Sequence, residues 1–146
     1  MNEVGSQQIE SILKDYHWMM NSIKILRDSM KDAAEWETAR YGNESAMSKA
    51  KGTNSDPVYK ETARRLKRYK KIAQYEDSVQ IIQDRMIAIE DDREFEVLNW
   101  LLEGKSYRWI ALHMGLSHTQ IIRMKDSIVE KIRSYVPYVT KDANLN

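Results

Sequence analysis

Ile9, Ile12, Tyr16, Met19, Ile23, Leu26, Met30 and Ala33 recur at steps of three and four without a break. Side chains at this spacing share one face of a helix, whereas a half-buried strand would need strict alternation. The pattern predicts a helix over residues 6–38, with Leu13 and Met20 widening its apolar seam and Trp18 and Ile25 lying off it. A seam this regular calls for a partner helix, either from the same chain or from a second copy, and packing inside one bundle meets the same need. A second run, Ile72, Tyr75, Val79, Ile82, Met86 and Ile89, has the same period. It predicts a helix from Pro57 to Ile89, with Asp56 as N-cap and proline as first helical residue. Upstream the apolar face weakens and shifts to Ala63, Leu66 and Tyr69. Between the two runs, Gly42-Asn43 and the stretch from Gly52 to Pro57 predict a loop over 41–57, about 15 residues and long for a compact domain.

The end of the chain is organised differently. Ser106 can cap a short helix in which Ile110 and Met114 share a face, with small Ala111 beside them allowing a close neighbour. Gly115 suits the left-handed residue that ends such a helix. Leu116 is the apolar plug of a turn, and Ser117 caps a second helix with Ile121, Met124, Ile128 and Ile132 as its buried stripe. His118, Thr119, Gln120, Ile122, Arg123 and Ser127 are left for solvent or a ligand. Ahead of the pair, residues 91–103 predict a backing helix with Asp91 as cap and Glu94 as partner in a capping-box-like start.

Several residues carry a resemblance. Ile110-Ala111, Met114-Gly115-Leu116-Ser117 and Glu130-Lys131-Ile132-Arg133 resemble the last helix-turn-helix of bacterial sigma factors, and Glu94 to Gly104 resembles the helix packed behind it. The likeness covers roughly residues 91–136. A looser likeness of layout joins Ile12 to Trp18, the stretch from Gly52 to Pro57 before a basic helix, and the terminal motif. It resembles the ArpU/RinA type of late transcription regulators of phages and prophages. This implies activation of packaging and lysis genes, without enzymatic activity.

The fold class expected is all-α, with long N-terminal helices in coiled-coil-like pairing and a C-terminal helix-turn-helix domain. The expected organisation is a helical oligomerisation region over 1–90, a DNA-binding domain over 91–137 and a flexible tail over 138–146. In such motifs the N-terminal part of the second helix enters the major groove. Lys105, Ser106 and Arg108, at the start of the first helix, can hold a phosphate. The resemblance places Ser117, His118, Thr119, Gln120, Ile122 and Arg123 at the DNA. Arg123 can donate a fork to guanine, Gln120 can pair with adenine, and Ile122 or the Thr119 methyl can meet a thymine methyl. Many relatives are basic where Ile122 stands, so this residue either loses a phosphate contact or packs against the preceding helix.

Net charge is +1 over 146 residues, so charge matters locally. Between Tyr59 and Lys71 seven bases face the single acid Glu61. Arg64, Arg65, Lys67 and Arg68 are candidates for auxiliary contacts to DNA backbone, although such a run also suits a solvated helix face. Between Lys105 and Arg133 six bases (Lys105, Arg108, Arg123, Lys125, Lys131 and Arg133) face Asp126 and Glu130. The chain has no cysteine, which excludes disulfides and thiolate metal sites. His113 and His118 lie five apart across a turn and match no common zinc spacing, so no metal and no cofactor is expected. No phosphate loop or nucleophile–base arrangement is present, and an enzyme is not expected. Without a secretory pattern or an apolar stretch of membrane-spanning length, the expected setting is the cytoplasm of a bacterial host. Expected partners are double-stranded DNA, a second copy of the chain in a dimer, and RNA polymerase. A packaging adaptor resembling a small terminase subunit and a helical protein–protein adaptor are the competing readings.

Overall fold

The computed structural model describes the backbone of residues 3–44 and 55–137, and the side chains of residues 3–32 and 56–137. The described residues form five α-helices and no strand: α1 (Ser6–Glu44), α2 (Ser55–Gln83), α3 (Asp92–Leu102), α4 (Tyr107–Met114) and α5 (His118–Ser134). A 3-10 turn, Met86–Ala88, joins α2 to α3. The all-α class expected from the spacing is the class observed.

Two ends differ from expectation. Helix α1 continues past residue 38 and through Gly42-Asn43 to Glu44. A single glycine inside a helix costs only about 1 kcal/mol, too little to stop a helix of this length. The expected loop is therefore helical at 41–44 and 55–57, and its remainder lies outside the described residues. Helix α2 stops at Gln83 rather than at Ile89. The chain then turns at Asp84–Arg85 and tightens into the 3-10 turn, whose Met86 carbonyl accepts from Ile89 N–H at 3.1 Å. Ile89 is nevertheless buried, because the tighter turn still carries it to the apolar side. The expected tail over 138–146 lies outside the described residues.

Packing divides the chain into two units, Met1–Trp18 with Ser78–Asn146, and Met19–Asp77. Both ends of the helical stretch expected over 1–90 thus belong to the packing unit that holds α3, α4 and α5. Ile9, Ile12 and Leu13 of α1, Val79 and Ile82 of α2, and Ile89 are buried there. So are Val97, Leu98, Ile110, Ala111, Ile121, Ile128, Val129 and Ile132. Burying one such aliphatic side chain contributes about 1.5–3 kcal/mol, so this set is the main source of the unit's stability. Gln83 donates to the Tyr16 hydroxyl at 3.1 Å, joining the two long helices. Gly104, at φ 81°, ends the α3 turn where a Cβ would meet the His17 ring at 3.0 Å. Only glycine meets both demands.

In the second unit α1 and α2 run antiparallel, as two links show. Arg27 Nε donates to Glu76 at 2.8 Å, and Arg68 donates to Ser29 Oγ at 3.2 Å. Met19 and Ile72 are the buried apolar side chains among the described residues of this unit. The partner of each seam is here supplied by the same chain.

Candidate nucleic-acid interface

Local hydrogen bonds fix the ends of α4 and α5. Ser106 Oγ accepts from Trp109 N–H at 3.1 Å, satisfying a donor that the first helical turn leaves free. Gly115 takes φ 67° and closes α4, and Leu116 N–H reaches back to the Ala111 carbonyl at 2.9 Å. Ser117 Oγ then accepts from Gln120 N–H at 3.2 Å while Gln120 Oε1 accepts from Ser117 N–H at 2.8 Å. This reciprocal box fixes the first turn of α5 as the chain leaves the three-residue turn. At α3, Asp91 caps Glu94 N–H at 2.9 Å, but the Glu94 carboxylate does not return the bond. It accepts from Ser127 at 2.8 Å and from Lys131 at 2.6 Å instead, tying α3 to α5.

Beneath the surface, Ile110 and Ala111 of α4 meet the buried stripe of α5, and Val97 and Leu98 of α3 close the other side. Ile121, Ile128 and Ile132 of the expected stripe are fully buried, and Met124 is half-buried. On the outer side of α5, His118, Thr119, Gln120 and Arg123 are exposed. Ile122 is half-buried, so it offers only part of its side chain. Ser127 is not part of the open face, because its hydroxyl is committed to Glu94. Gln120 is half-committed: its carbonyl oxygen serves the capping box, leaving its amide donors to face outward.

Ion pairing sorts the six bases of this segment into two groups. Lys125 is only 7% exposed and is paired with Glu10 on α1 and with Asp126 at 2.6 Å. Burial by itself would push its ammonium down, but hydrogen bonds to Asp126 and Glu10 outweigh this and hold it well above the ordinary lysine value. Lys131 is bound to Glu94, which holds its ammonium above the ordinary value, and Arg133 donates to Glu130 at 3.0 Å. The remaining three, Lys105, Arg108 and Arg123, form no ion pair among the described residues and are exposed. Lys105 Nζ lies over the Trp109 ring, 4.6 Å from its centroid. The cations left uncommitted are therefore those at the start of α4 and the outer face of α5.

From the sequence, Lys125 was counted among the six bases without being given a face, yet its spacing was legible. It stands four residues after Ile121 and three before Ile128, on the buried stripe. Arg93 was also passed over. With Leu116, Gln120, Arg123 and Met124 it lines a shallow cleft of about 290 Å³ beside the α5 face, which Asp91 and Glu94 also line. His118 packs edge-on to Tyr107, with ring centroids 6.1 Å apart, so its ring is held at the start of α5. His113 lies on the helix surface, within an aromatic cluster. It stacks on Trp109 and meets Trp100 edge-on, each at 4.9 Å, with Glu96 3.8 Å from its Nε2.

The auxiliary candidates on α2 are unequal. Arg64 and Arg65 are drawn to Glu61, at 2.7 and 3.5 Å, and Arg68 is half-buried against Ser29. Lys67 is exposed and forms no ion pair among the described residues. No helix among the described residues is long and apolar enough to cross a membrane.

The chain is similar to the uncharacterized protein YqaQ of Bacillus subtilis (strain 168), at 28% identity over 134 residues, covering 88% of this chain and 89% of that protein. No family model matches the chain. No solved structure matches it.

Proposed function

We propose that this protein is a sequence-specific DNA-binding transcription regulator, an activator of phage late packaging and lysis genes, without catalytic chemistry of its own. It reads the major groove with α5 as the second helix of a helix-turn-helix. One observation carries the reading: Lys105, Arg108 and Arg123 are exposed and form no ion pair among the described residues, beside exposed His118, Thr119 and Gln120, while Lys125, Lys131 and Arg133 are internally paired. Arg123 and Gln120 supply the donors for base edges, with Thr119 and the exposed part of Ile122 for a thymine methyl. Lys105, Arg108 and the amides after Ser106 and Ser117 anchor the phosphates.

So few free cations give a single copy weak affinity at physiological salt, because phosphate neutralisation supplies most of it. A dimer, presenting two α5 helices to half-sites one helical turn or a multiple apart, restores the affinity. RNA polymerase is the second partner of the activator reading, and the similarity to a Bacillus subtilis protein fits a bacterial setting. The test is selection of DNA sites from a random pool by the full chain, then anisotropy titration of the winning duplex. The expected result is preference over random duplex, lost in folded Arg123→Ala and weakened in Gln120→Ala. Equal binding of all sequences at moderate salt, or none, overturns the proposal.

A further inference from the structure

Within the unit that holds α3, α4 and α5, the first turns of α1, the α3–α4 junction and α5 bound a cleft of about 750 Å³. A space of this size suits a small molecule. Part of its wall is apolar: Leu13 is buried, and Leu101 and Tyr107 are half-buried. The charged lining is mostly cationic, with Lys14, Lys105 and Lys125 against the carboxylate of Glu10. That carboxylate is engaged, because Glu10 and Asp126 together hold Lys125. Lys14 and Lys105 are exposed and form no ion pair among the described residues. The Lys105 ammonium rests over the Trp109 ring, a weak contact for an exposed side chain, and its flexible stem lets it turn to an anion.

We propose that this cleft binds a small organic anion, its carboxylate or phosphate drawn by Lys14 and Lys105 and its apolar body set against Leu101 and Tyr107. The lining selects this class. A metal cation would meet two ammoniums and find the Glu10 carboxylate already taken. A neutral apolar molecule would displace water from the ammoniums and bring no countercharge in its place. A duplex is too broad for a space of this volume. Ser11, three residues before Lys14 on the same face of α1, adds a hydroxyl for the head group. Lys105 is also one of the proposed phosphate anchors of α4, so the bound anion competes with DNA for it. That consequence rests on the DNA reading; the anion site does not.

The test titrates the full chain with anilinonaphthalene sulfonate, an aromatic body with one fixed negative charge, and reads its fluorescence. A single site with a Kd below about 100 μM is expected. Lys14→Glu, and Ser11→Trp to fill the cleft, should each weaken binding at least about tenfold. Both positions are exposed and outside the proposed DNA face, so circular dichroism and the thermal midpoint should match wild type. The uncharged probe phenylnaphthylamine should bind at least about tenfold more weakly. Benzoate and phenyl phosphate serve as competitors: displacement by either supports the site, and the stronger competitor identifies the head group. Equal affinity in wild type and both variants, equal affinity for the uncharged probe, or displacement by neither competitor overturns the inference. DNA titrations keep the two proposals apart. Saturating sulfonate probe should weaken duplex binding at least about threefold in wild type and have no effect in Ser11→Trp. Unchanged wild-type duplex binding overturns the competition for Lys105, and probe binding without DNA binding removes only the DNA reading.

Discussion

The helices around α5 and the Met19–Asp77 pair spend their apolar residues differently. Around α5, Val97, Leu98, Ile110, Ile121, Ile128 and Ile132 are all fully enclosed. In the Met19–Asp77 unit no described side chain reaches that state, and Ile25, Val58, Tyr59, Leu66 and Tyr69 are more than half exposed. Two helices meet along one line and leave their outer faces to solvent, whereas several helices crossing one another can shut a core. Charges follow the same division. Lys125 is enclosed and paired with the exposed carboxylates of Glu10 and Asp126, while Lys60, Lys67, Lys70 and Lys71 are exposed and form no ion pair among the described residues.

The largest effect expected from this contrast is in the cores themselves. Ile128→Ala should cost about 2–5 kcal/mol in urea unfolding, by lost transfer energy and a residual cavity. Leu66→Ala should stay within about 0.5 kcal/mol, as exposed substitutions do. Comparable losses at the two positions would mean that Leu66 is covered in solution and the contrast is false.

Next come the two left-handed glycines. Gly104→Ala should cost about 2 kcal/mol, because strain at positive φ adds to a clash with the His17 ring. Gly115→Ala has open space around its Cβ and should cost only about 1 kcal/mol of backbone strain. Thermal unfolding of both variants checks the ordering, and the difference between them isolates the steric contact.

Lys125→Met should change stability by no more than about 1 kcal/mol, since an apolar chain of similar length fills the same space and the exposed carboxylates of Glu10 and Asp126 return to water. The Lys125 ammonium is held above its ordinary value, so its stabilising contribution is complete below the unfolded lysine value. It is lost only as pH rises through the higher folded one. The stability difference between wild type and Lys125→Met should therefore be flat from about pH 6 to 9. A slope in that window would show the pair opening.

The smallest effect lies at Glu130. Its carboxyl is lowered, first by the hydrogen bond from Arg133. Its contribution is present above the ordinary carboxylate value and lost as pH falls through the lowered one. Wild type should lose slightly more stability than Glu130→Gln between about pH 5 and 3, as read by thermal midpoints.

Much of this fold was legible because its determinants are local. Ser106, Asp91 and Ser117 cap the helices they precede, and Gly115 ends the helix before it, since caps join residues three or four apart. The capping box of Ser117 and Gln120 was legible by the same rule, and it takes the glutamine oxygen away from base reading. The end of α2 was less so, because an apolar period runs on through a 3-10 turn without marking where the α-helix stops. Ser127 looked open on α5, and only the approach of Glu94 from α3 closed it.

By itself the sequence determined the helices, most of their caps and the buried stripe of α5, because each depends on neighbours within one or two turns. Tertiary structure decided which charges remain available for a ligand. Lys125 meets Glu10 across 115 residues and Lys131 meets Glu94 across 37, and neither pairing is written in local spacing. An ion pair depends on the distance between two charged atoms, and folding sets that distance. The same folding left Arg108 and Arg123 unpaired among the described residues, and it left Tyr59, Leu66 and Tyr69 uncovered.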